Sequence, residues 1–546
     1  MNARRAMTKF FRRPGLGYAA VFIFALAVGA YLQSTPTFID PDSFYHLKMA
    51  ELTAADGPVR DFPWLPFTTL GAAFADHHFL YHVALIPFMA ALGPVAGAKT
   101  ATVIFFALAI AAFYALLRQH AVRSPWFYAL VLATSGGFVF RMNLVKTSAL
   151  SVFILFFALL AVEKKAHRFL FVLSWLYVWT YGGWPLLPIV VGAMAAARVF
   201  AIWKLSPTRV RMAFGEALRR GRGHLEMLGA AVGGSIVGLV FNPYFPRNLA
   251  FYWEQIVQIG IVNYRGTIGV GGEWYGYSFA DIFGGAGLLF ILLLCGLALL
   301  LIIVLFDLPA DRRRPFAERD LAPFIASLAL AALFLFMTLR SRRFVEYFQP
   351  FMALFVALFL DALLPKFSLP AFRRGTKKII AEFGLLPAAA AIFLIGLFPF
   401  IAVRDIRMTR EVYAGGLPVG KYAAAADWLA ANTPEGSVVF HSDWDDFPPL
   451  FYRDTRNRFI SGLDPTFFYR QDGRRYWQWV HITTGKRKSG IADIVRRGFG
   501  AEVVLIEKDH KEMREVIEAD ANFSKVYADD EVDIYAISDH RDSGAQ

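Results

Sequence analysis

Long apolar runs separated by short basic segments constrain this chain more than any other feature. A helix needs about 20 apolar residues to cross a hydrocarbon core of about 30 Å. Hydrophobic residues make up 57% of the chain and the mean hydropathy is +0.45, which excludes an ordinary soluble protein. We predict a mainly α polytopic membrane domain of about 11–13 helices, with spans near 16–33, 99–118, 125–140, 147–163, 168–182, 184–203, 226–242, 284–306, 321–339, 344–364 and 379–403.

The formal net charge of +13 fits a membrane protein, since basic residues concentrate in cytoplasmic loops. We therefore predict no nucleic-acid partner. The single cysteine, Cys295, lies in an apolar run and excludes both an intrachain disulfide and a cysteine metal site. The basic stretch Arg4–Arg13 precedes the first apolar run, which we interpret as an uncleaved helix with a cytoplasmic N-terminus.

The apolar segment Phe79–Ala96 decides the topology. If this segment does not cross the membrane, five loops are cytoplasmic and all are basic: 118–123, 164–168, 204–222, 312–319 and 366–378. If it crosses, all five are external, against the positive-inside rule. We therefore predict that it lies in or dips into the external interface. A first loop at 34–98, a long loop at 243–283 and the tail are then external, in the cell (inner) membrane.

The tail changes character after residue 403. It carries more charge and contains alternating runs such as Ser437–Phe440 and Glu502–Ile506, with a helix-like stretch at Lys421–Ala431. We predict a membrane domain at 1–403 followed by a soluble external α/β domain at 404–546.

Two carboxylates directly follow the first span, in the stretch Ile39–Lys48. Asp40 and Asp42 stand two residues apart, with Tyr45 and His46 close behind. Hard oxygen ligands at a membrane face suit Mg²⁺ or Mn²⁺, and such a cation can neutralise a phosphate leaving group. The alternative is a helix N-cap formed by Asp42 or Ser43.

Other candidate residues fall in the remaining external segments. Glu273 lies in the glycine-rich stretch Gly269–Tyr275, where a backbone can approach a ligand closely, or where the loop is simply flexible. Arg340, Arg342 and Arg343 stand at the external end of a span, against the charge rule. Their guanidinium forks match phosphate oxygens, with interfacial snorkelling or an ion pair with Glu346 as alternatives.

The tail offers the stretch His441–Pro449, directly after a predicted strand. Its acids and aromatic residues, Trp444 and Asp445 among them, suit recognition of a polar ligand or carbohydrate. An ordinary turn is the alternative.

The stretch Asp42–Lys48 resembles the first-loop motif of oligosaccharyltransferase catalytic subunits, in which an aspartate precedes aromatic residues and a histidine. These enzymes have the GT-C fold. The resemblance implies that Asp42 binds the metal. It also implies that Tyr45 and His46 contribute to substrate binding. Glu273 resembles the acid of the family's long external loop, which lies near the metal and the acceptor amide.

Two further segments extend this resemblance through nearly the whole chain in the same order. Leu339–Tyr347 is similar to the segment whose arginine contacts the lipid pyrophosphate, which implies a donor-binding role for Arg343 with Arg340 beside it. Asp443-Trp444-Asp445 resembles the Trp-Trp-Asp motif that reads the acceptor, which implies substrate binding by Trp444 and Asp445.

The chain departs from the family at two places. Where the family has a second acidic pair, this chain reads Arg141–Lys146, so two metal ligands are missing, and Lys146 can replace the cation as the positive partner of the phosphate. The acceptor motif lacks the second tryptophan and the Tyr-Gly that follows it. The expected metal site depends on the first of these places, and the expected recognition of an Asn-x-Ser/Thr acceptor depends on the second.

We expect a membrane glycosyltransferase that moves a sugar or oligosaccharide from a polyprenyl phosphate or pyrophosphate to a protein or other acceptor on the external face. Asp42 would act as metal ligand or base, Glu273 would orient the acceptor and Arg343 would bind the phosphate. The cofactor expected from the resemblance is Mg²⁺ or Mn²⁺, held by Asp42 and Glu273.

Two other functions are consistent with parts of the sequence. A transporter or flippase of lipid-linked sugar predicts charges within spans and paired broken helices, whereas the spans here are nearly charge-free apart from Asp361 near one end. A non-catalytic, membrane-anchored binding protein would use the tail as its working part.

Overall fold

The computed structural model describes residues 14–205, 213–305, 321–363 and 386–538. The predicted basic loops at 312–319 and 366–378 lie outside the described residues, as does the basic N-terminal stretch. The protein is mainly helical, as predicted, with a small mixed sheet in its C-terminal region.

The helices of the first part of the chain are, in order, α1 Pro14–Gln33, α2 Asp42–Asp56, α3 Thr69–Ala72, α4 Phe79–Leu92, α5 Pro94–Gln119, α6 Pro125–Ala133, α7 Gly136–Met142, α8 Ser148–Glu163, α9 His167–Thr180, α10 Leu186–Leu205, α11 Phe214–Arg220, α12 Arg222–Val240 and α13 Arg247–Trp253. A π-helix, Glu254–Val262, continues α13 without a break.

The later helices are α14 Phe279–Gly285, α15 Gly287–Leu305, α16 Ala322–Thr338, α17 Val345–Leu363, α18 Leu386–Ala414, α19 Ala423–Asn432, α20 Phe447–Arg453, α21 Pro465–Gln471, α22 Gly473–Thr483, α23 Ile491–Asp493 and α24 Lys511–Glu518. The strands are β1 Thr37–Phe38, β2 Leu417–Pro418, β3 Val438–His441, β4 Arg458–Phe459, β5 Ala501–Glu507, β6 Phe523–Ala528 and β7 Val532–Ile537.

The chain forms two compact units, each built from three separate segments. The helical unit comprises Met1–Thr35, Lys99–Gly238 and Tyr275–Ala414. The mixed unit comprises Pro36–Ala98, Leu239–Trp274 and Gly415–Gln546. The mixed unit thus gathers the first predicted external loop, most of the long loop and nearly all of the tail.

Helices occur at all eleven predicted membrane spans. Among the described residues, five are long and apolar enough to cross a membrane: Gly15–Gln33, Pro94–Gln119, Leu186–Lys204, Arg222–Val240 and Arg342–Leu363. A sixth span is possible if the pair Phe279–Gly285 and Gly287–Leu301, bent by 92°, counts as one. The predicted span near 125–140 is broken into α6 and α7. These helices make the chain a multi-pass membrane protein.

The apolar segment predicted to avoid crossing forms the short helix α4, with Pro87 in its interior. Helix α5 begins at Pro94, immediately after Gly93. A side chain at Gly97 would collide with the backbone of Phe88, so glycine at this position lets α4 pack closely on the start of α5.

The five-stranded sheet of the mixed unit has the order β4-β3-β5-β7-β6. β3 runs parallel to β4 and β5, and β7 runs antiparallel to β5 and β6. Strands β3 and β5 and helix α19 confirm the predicted strands and helix of the tail. Buried apolar side chains such as Phe440, Val504 and Trp479 form the core against the sheet.

A second, two-stranded sheet ties the first loop to the tail. β1 pairs antiparallel with β2, with Thr37 opposite Pro418 and Phe38 opposite Leu417. Backbone and side-chain bonds add to this link: Phe459 N–H donates to Trp64 O at 2.8 Å, and Trp64 Nε1 donates to Thr455 O at 2.8 Å. The predicted external loop and tail therefore fold as one body.

Candidate functional site

Asp42 begins helix α2, but it does not cap it. The N-cap residue is Pro41, which has no side chain for a cap hydrogen bond, and Asp40 Oδ1 accepts from the Asp42 backbone N–H at 3.0 Å. Asp40 therefore supplies the oxygen that the N-terminal turn needs. The interpretation of Asp42 as the capping residue is therefore wrong.

Packing of α20 on α2 brings the tail to Asp42. The ring centroids of Phe44 and Tyr452 are 5.9 Å apart, and those of Tyr45 and Phe451 are 6.2 Å apart. Lys48 Nζ lies 5.4 Å from the centroid of the Tyr452 ring. Because α20 directly follows the turn Trp444–Asp446, these contacts place that turn beside the start of α2.

The three aspartates of this turn, Asp443, Asp445 and Asp446, have different environments. Asp443 caps the turn, accepting from Asp445 N–H, while Asp446 accepts from Asp443 N–H at 2.8 Å. Asp446 is buried and also accepts from Ser442 at 2.9 Å and Tyr422 at 2.8 Å. Asp446 is thus an internal anchor, which leaves Asp443 and Asp445 as the outward carboxylates.

Among these carboxyl groups, Asp445 is the one whose ionised form is most disfavoured. Enclosure by protein atoms and the carboxylates of Asp443, Asp42, Asp40 and Asp446 raise the pKa of Asp445 to about 9. Since Asp445 lies at the surface, the neighbouring like charges are the cause that matters most. Burial, followed by the Asp446 charge, also raises the pKa of Asp443. Such a group favours a proton or a cation.

The loop that carries Glu273 is fastened to the same part of the mixed unit. A side chain at Gly271 would lie 3.6 Å from the Trp444 indole, so the glycine backbone packs against that ring. Trp274 Nε1 donates to Asp464 at 3.2 Å and Asn263 Nδ2 donates to Trp274 O at 3.2 Å. Glu273, half-buried, is therefore held in a short helical turn rather than in a free loop.

Tyr45 and His46 point into the interior of the mixed unit. His46 Nδ1 lies 2.8 Å from His82 Nε2, and His82 Nδ1 lies 2.6 Å from Asp76 Oδ2. All three side chains are buried, and the Asp76 carboxylate also accepts from His78 N–H at 2.9 Å. The sequence analysis did not predict this chain of groups, although Asp76-His77-His78 is a conspicuous cluster beside an apolar helix.

The predicted basic residues lie in the helical unit. Arg343 belongs to the 3₁₀ turn that precedes α17, and its charge acts on the Tyr181 hydroxyl. Lys146 is buried, and the next residue, Thr147, donates to Thr180 O at 3.0 Å, which places Lys146 near the Tyr181 segment. Arg340 is exposed, with its guanidinium 5.5 Å from the Phe336 ring centroid.

A buried ion pair at the same place was not predicted. Arg141 Nε lies 3.1 Å from Glu346 Oε2, with side chains 6% and 0% exposed, and Tyr181 donates to Glu346 Oε1 at 3.4 Å. Arg141 belongs to the stretch that replaces the family's second acidic pair. Glu346 was considered only as a partner of the external arginines. The two residues are far apart in the sequence, so only the tertiary structure reveals their pairing.

Two groups of side chains in the mixed unit could hold a metal ion. Asp40, Asp42, Asp443 and Asp445 offer hard oxygen donors, and enclosure by protein atoms and the charges of the first three raise the pKa of Asp445. Carboxylate oxygens are the type of ligand that Mg²⁺ and Mn²⁺ prefer. The second group is Glu507, Asp509 and His510, with ligand atoms within 4.8 Å of one another.

In the group of Glu507, Asp509 and His510, a lysine already occupies one carboxylate. Lys421 Nζ lies 2.6 Å from Glu507 Oε1 and already balances one of its carboxylates. His510 Nε2 lies 3.9 Å from Asp443 Oδ2, so this group borders the first. Of the two groups, only Glu507, Asp509 and His510 have ligand atoms within 4.8 Å of one another among the described residues, and Lys421 lies beside them.

No protein-family model and no curated protein sequence matches this chain. Its structure is similar to an archaeal oligosaccharyltransferase, AglB from Archaeoglobus fulgidus in complex with an inhibitory peptide and a dolichol-phosphate. The TM-score is 0.61 at 18% identity, over 97% of this chain and 75% of that one.

Two other solved structures are similar over most of the chain. ArnT from Cupriavidus metallidurans bound to undecaprenyl phosphate has a TM-score of 0.50 at 16% identity, over 95% of this chain and 98% of that one. The arabinofuranosyltransferase AftD from Mycobacteria has a TM-score of 0.52 at 14% identity, over 95% of this chain and 40% of that one. All three are membrane glycosyltransferases of the GT-C fold, and this chain has that fold, as the first-loop motif predicted.

Proposed function

We propose that this protein is a membrane glycosyltransferase that moves a sugar or oligosaccharide from a polyprenyl phosphate or pyrophosphate to a protein or other acceptor. The observation that carries the proposal is the group Asp40, Asp42, Asp443 and Asp445, gathered from the first loop and the tail in a chain with the GT-C fold. Likeness at 14–18% identity supports the fold, and the chemistry rests on these residues.

The reaction is a displacement at the anomeric carbon of the donor. An acceptor nucleophile must lose a proton and be held in line with the leaving phosphate. Asp42 is proposed as the base or the cation ligand, because its carboxylate is not used to cap its own helix. Glu273, in a fixed turn that packs beside Trp444, is proposed to orient the acceptor.

Leaving-group stabilisation is assigned to cationic side chains of the helical unit. Arg343 is the proposed partner of the donor phosphate, with Arg340 and Lys146 as further basic residues. The dolichol-phosphate bound to AglB and the undecaprenyl phosphate bound to ArnT support a lipid phosphate as the ligand. Glu346 is neutralised by Arg141, so it does not oppose a phosphate there.

A divalent cation, Mg²⁺ or Mn²⁺, would supply positive charge to the leaving phosphate when bound, with Asp42 and Glu273 as its proposed protein ligands. Asp445 and Trp444 are proposed to bind the acceptor. Trp444 offers a partly exposed indole for stacking or apolar contact, and Asp445 offers an exposed carboxyl.

Transport of a lipid-linked sugar is the second candidate, because the helical unit contains discontinuous helices. α6 and α7 are separated by a break, and α14 and α15 meet at 92°. Transporters use such breaks as ligand sites. Here Gln349 accepts from Phe138 N–H at 3.0 Å and donates to Gly285 O at 3.0 Å. Protein groups therefore satisfy backbone atoms at both breaks, which favours a structural role.

The test is a lipid analysis of a strain that lacks this protein. A transferase predicts accumulation of a lipid-linked glycan on the external face, where a membrane-impermeant glycosidase or periodate reaches it in spheroplasts. A flippase predicts accumulation on the cytoplasmic face, protected from the same reagents. No accumulation on either face would contradict both candidates and favour a binding protein.

The proposed location is the inner membrane with the tail external. Reporter tags inserted after Lys378 and after Arg404 should report opposite sides of the membrane. A cytoplasmic tail would contradict the proposal, because lipid-linked donors would then be used on the inner face.

A further inference from the structure

The segment after membrane helix α12 is a helix with two unlike faces. It consists of α13 and the π-helix that continues it, Arg247–Val262, and we call it the loop helix. It belongs to the mixed unit and precedes the turn that carries Glu273. Apolar side chains lie on both of its faces, because Phe251, Tyr252 and Ile259 are buried while other large apolar residues are exposed.

Three polar side chains of the loop helix, those of Asn248, Glu254 and Gln258, face protein. Glu254 Oε1 accepts from Arg470 Nε at 3.0 Å, and Gln258 Oε1 accepts from Arg470 Nη1 at 2.9 Å and from the Tyr264 hydroxyl at 2.8 Å. Asn248 is buried and donates to Leu239 O at 2.9 Å. These bonds fix the rotation of the helix on the mixed unit.

Four large apolar side chains of the loop helix point away from the protein, whereas Phe251, Tyr252 and Ile259 are buried against it. Leu249 is 46% exposed, Trp253 60%, Ile261 73% and Val262 53%, and Phe245 just before the helix is 47% exposed. A helix on a soluble protein buries its apolar stripe and exposes its polar one. A row of large apolar residues on the outside therefore marks an interaction surface.

The position of the loop helix in the chain identifies what covers this surface. The candidate membrane span Arg222–Val240 ends only a few residues before Arg247, so the chain has just left the bilayer. Tryptophan prefers the headgroup region, and amphipathic helices with such a face lie in the interface plane. Arg247 is exposed at the N-terminal end, where it donates to Arg60 O at 3.1 Å and lies 3.4 Å from Asp61.

We propose that the loop helix lies in the headgroup–acyl boundary of the bilayer, with Leu249, Trp253, Ile261 and Val262 inserted into lipid. The occupant of this face is phospholipid, not another protein. The helix then anchors the turn carrying Glu273 to the membrane surface, since only a short segment separates the two. This inference does not depend on the proposed reaction.

The first test measures what surrounds each side chain in the full-length protein. In a Cys295→Ser background, single cysteines replace Leu249, Trp253 or Val526, and each carries a nitroxide label in nanodiscs of phosphatidylethanolamine and phosphatidylglycerol. Val526 is the matched control, because it is 42% exposed and apolar but lies on strand β6 of the tail.

We expect the labels at 249 and 253 to collide several-fold more with oxygen than with a water-soluble nickel chelate, relative to the label at 526. Equal accessibility at all three positions would show that the face meets water and would overturn the proposal. Protection of 249 and 253 from both reagents would show a protein partner or a second copy, which also overturns it.

A second measurement avoids labelling. Phospholipids brominated near the headgroup quench a tryptophan that lies in the interface. We expect quenching to fall in Trp253→Phe and to stay unchanged in Trp477→Phe, whose tryptophan is 37% exposed on helix α22 of the tail. Equal quenching in wild type and Trp253→Phe would contradict the proposal even if all cysteine variants failed to fold.

Discussion

The two units of this protein treat acidic side chains in opposite ways. In the helical unit, Glu346 is fully buried and meets Arg141 at 3.1 Å and Tyr181 at 3.4 Å. In the mixed unit, Asp445 lies among other carboxylates, and its pKa rises to about 9. A charge matched by its own protein serves the architecture, whereas a group of like charges costs stability and suggests a ligand from outside.

The sharpest way to test this difference is to remove a charge from the carboxylate group. We expect Asp42→Asn to lose about 1,000-fold or more of the transfer activity, because a carboxamide is neither a base nor a good ligand for Mg²⁺. Helix α2 should form normally, since Asp40 supplies the cap oxygen. The measurement is reversal of glycolipid accumulation in the deletion strain.

The control for Asp42→Asn is Asp61→Asn, in the same loop. The Asp61 side chain is 90% exposed and lies 3.4 Å from Arg247, so this variant should keep full activity. Wild-type activity in Asp42→Asn would remove Asp42 from the site.

Breaking the matched pair of the helical unit should affect stability instead. Arg141→Met leaves Glu346 buried without its ionic partner, and we expect a loss of about 3–5 kcal/mol, seen as a large fall in melting temperature in detergent. The matched control is Arg220→Met, whose exposed partner Glu216 lies one turn away, and its expected change is below about 1 kcal/mol. Similar melting of the two variants would show that the buried pair is not structural.

Chelation tests whether the carboxylate group needs a cation. We expect exhaustive chelation to lower the activity of the wild type at least about tenfold, and Mg²⁺ or Mn²⁺ to restore it. The same assay on Lys146→Ala separates the two positive partners of the phosphate. Full resistance to chelation together with loss of activity in Lys146→Ala would assign that role to the lysine.

The smallest expected effect is the pH dependence caused by Asp445. Its pKa of about 9 lies above the value of about 3.9 for an unfolded aspartate, so the folded state holds a proton that the unfolded state releases. This contribution to stability is therefore lost as pH rises from about 4 to about 9. Asp445→Asn should flatten that slope by less than about 1 kcal/mol, because the exposed side chain is screened.

Thermal unfolding in chelator between pH 5 and pH 9 measures this effect. Asp493→Asn is the control, because the Asp493 side chain is 72% exposed and lies 3.4 Å from Arg497 one turn away. Parallel pH curves for wild type and Asp445→Asn would show that the carboxylates do not interact.

The sequence allowed prediction of features that depend on neighbouring residues. Apolar runs located the helices, alternation located β3 and β5, and the first-loop motif led to the fold. The alternative that Asp42 or Ser43 caps α2 is wrong, because the start of the helix depends on where Pro41 turns the chain. Such a one-step shift lies within the uncertainty of helix ends.

Pairings across long stretches of chain could not be predicted. Arg141 and Glu346, or His46 and His82, meet only because distant helices pack together, and a single sequence contains no local signal of that packing. The assembly of the mixed unit from three separate segments could not be predicted for the same reason. Their grouping depends on contacts such as α2 with α20, which no periodicity reports.

The two-stranded sheet of β1 and β2 has a consequence for how the protein is made. Thr37 emerges from the ribosome early, but its partner Pro418 is made only after all the membrane helices described here. The first loop must therefore wait, unpaired, through most of translation. Because Asp42 and Asp445 come together only after the tail has been synthesised, a chain truncated before the tail should lack the complete carboxylate group.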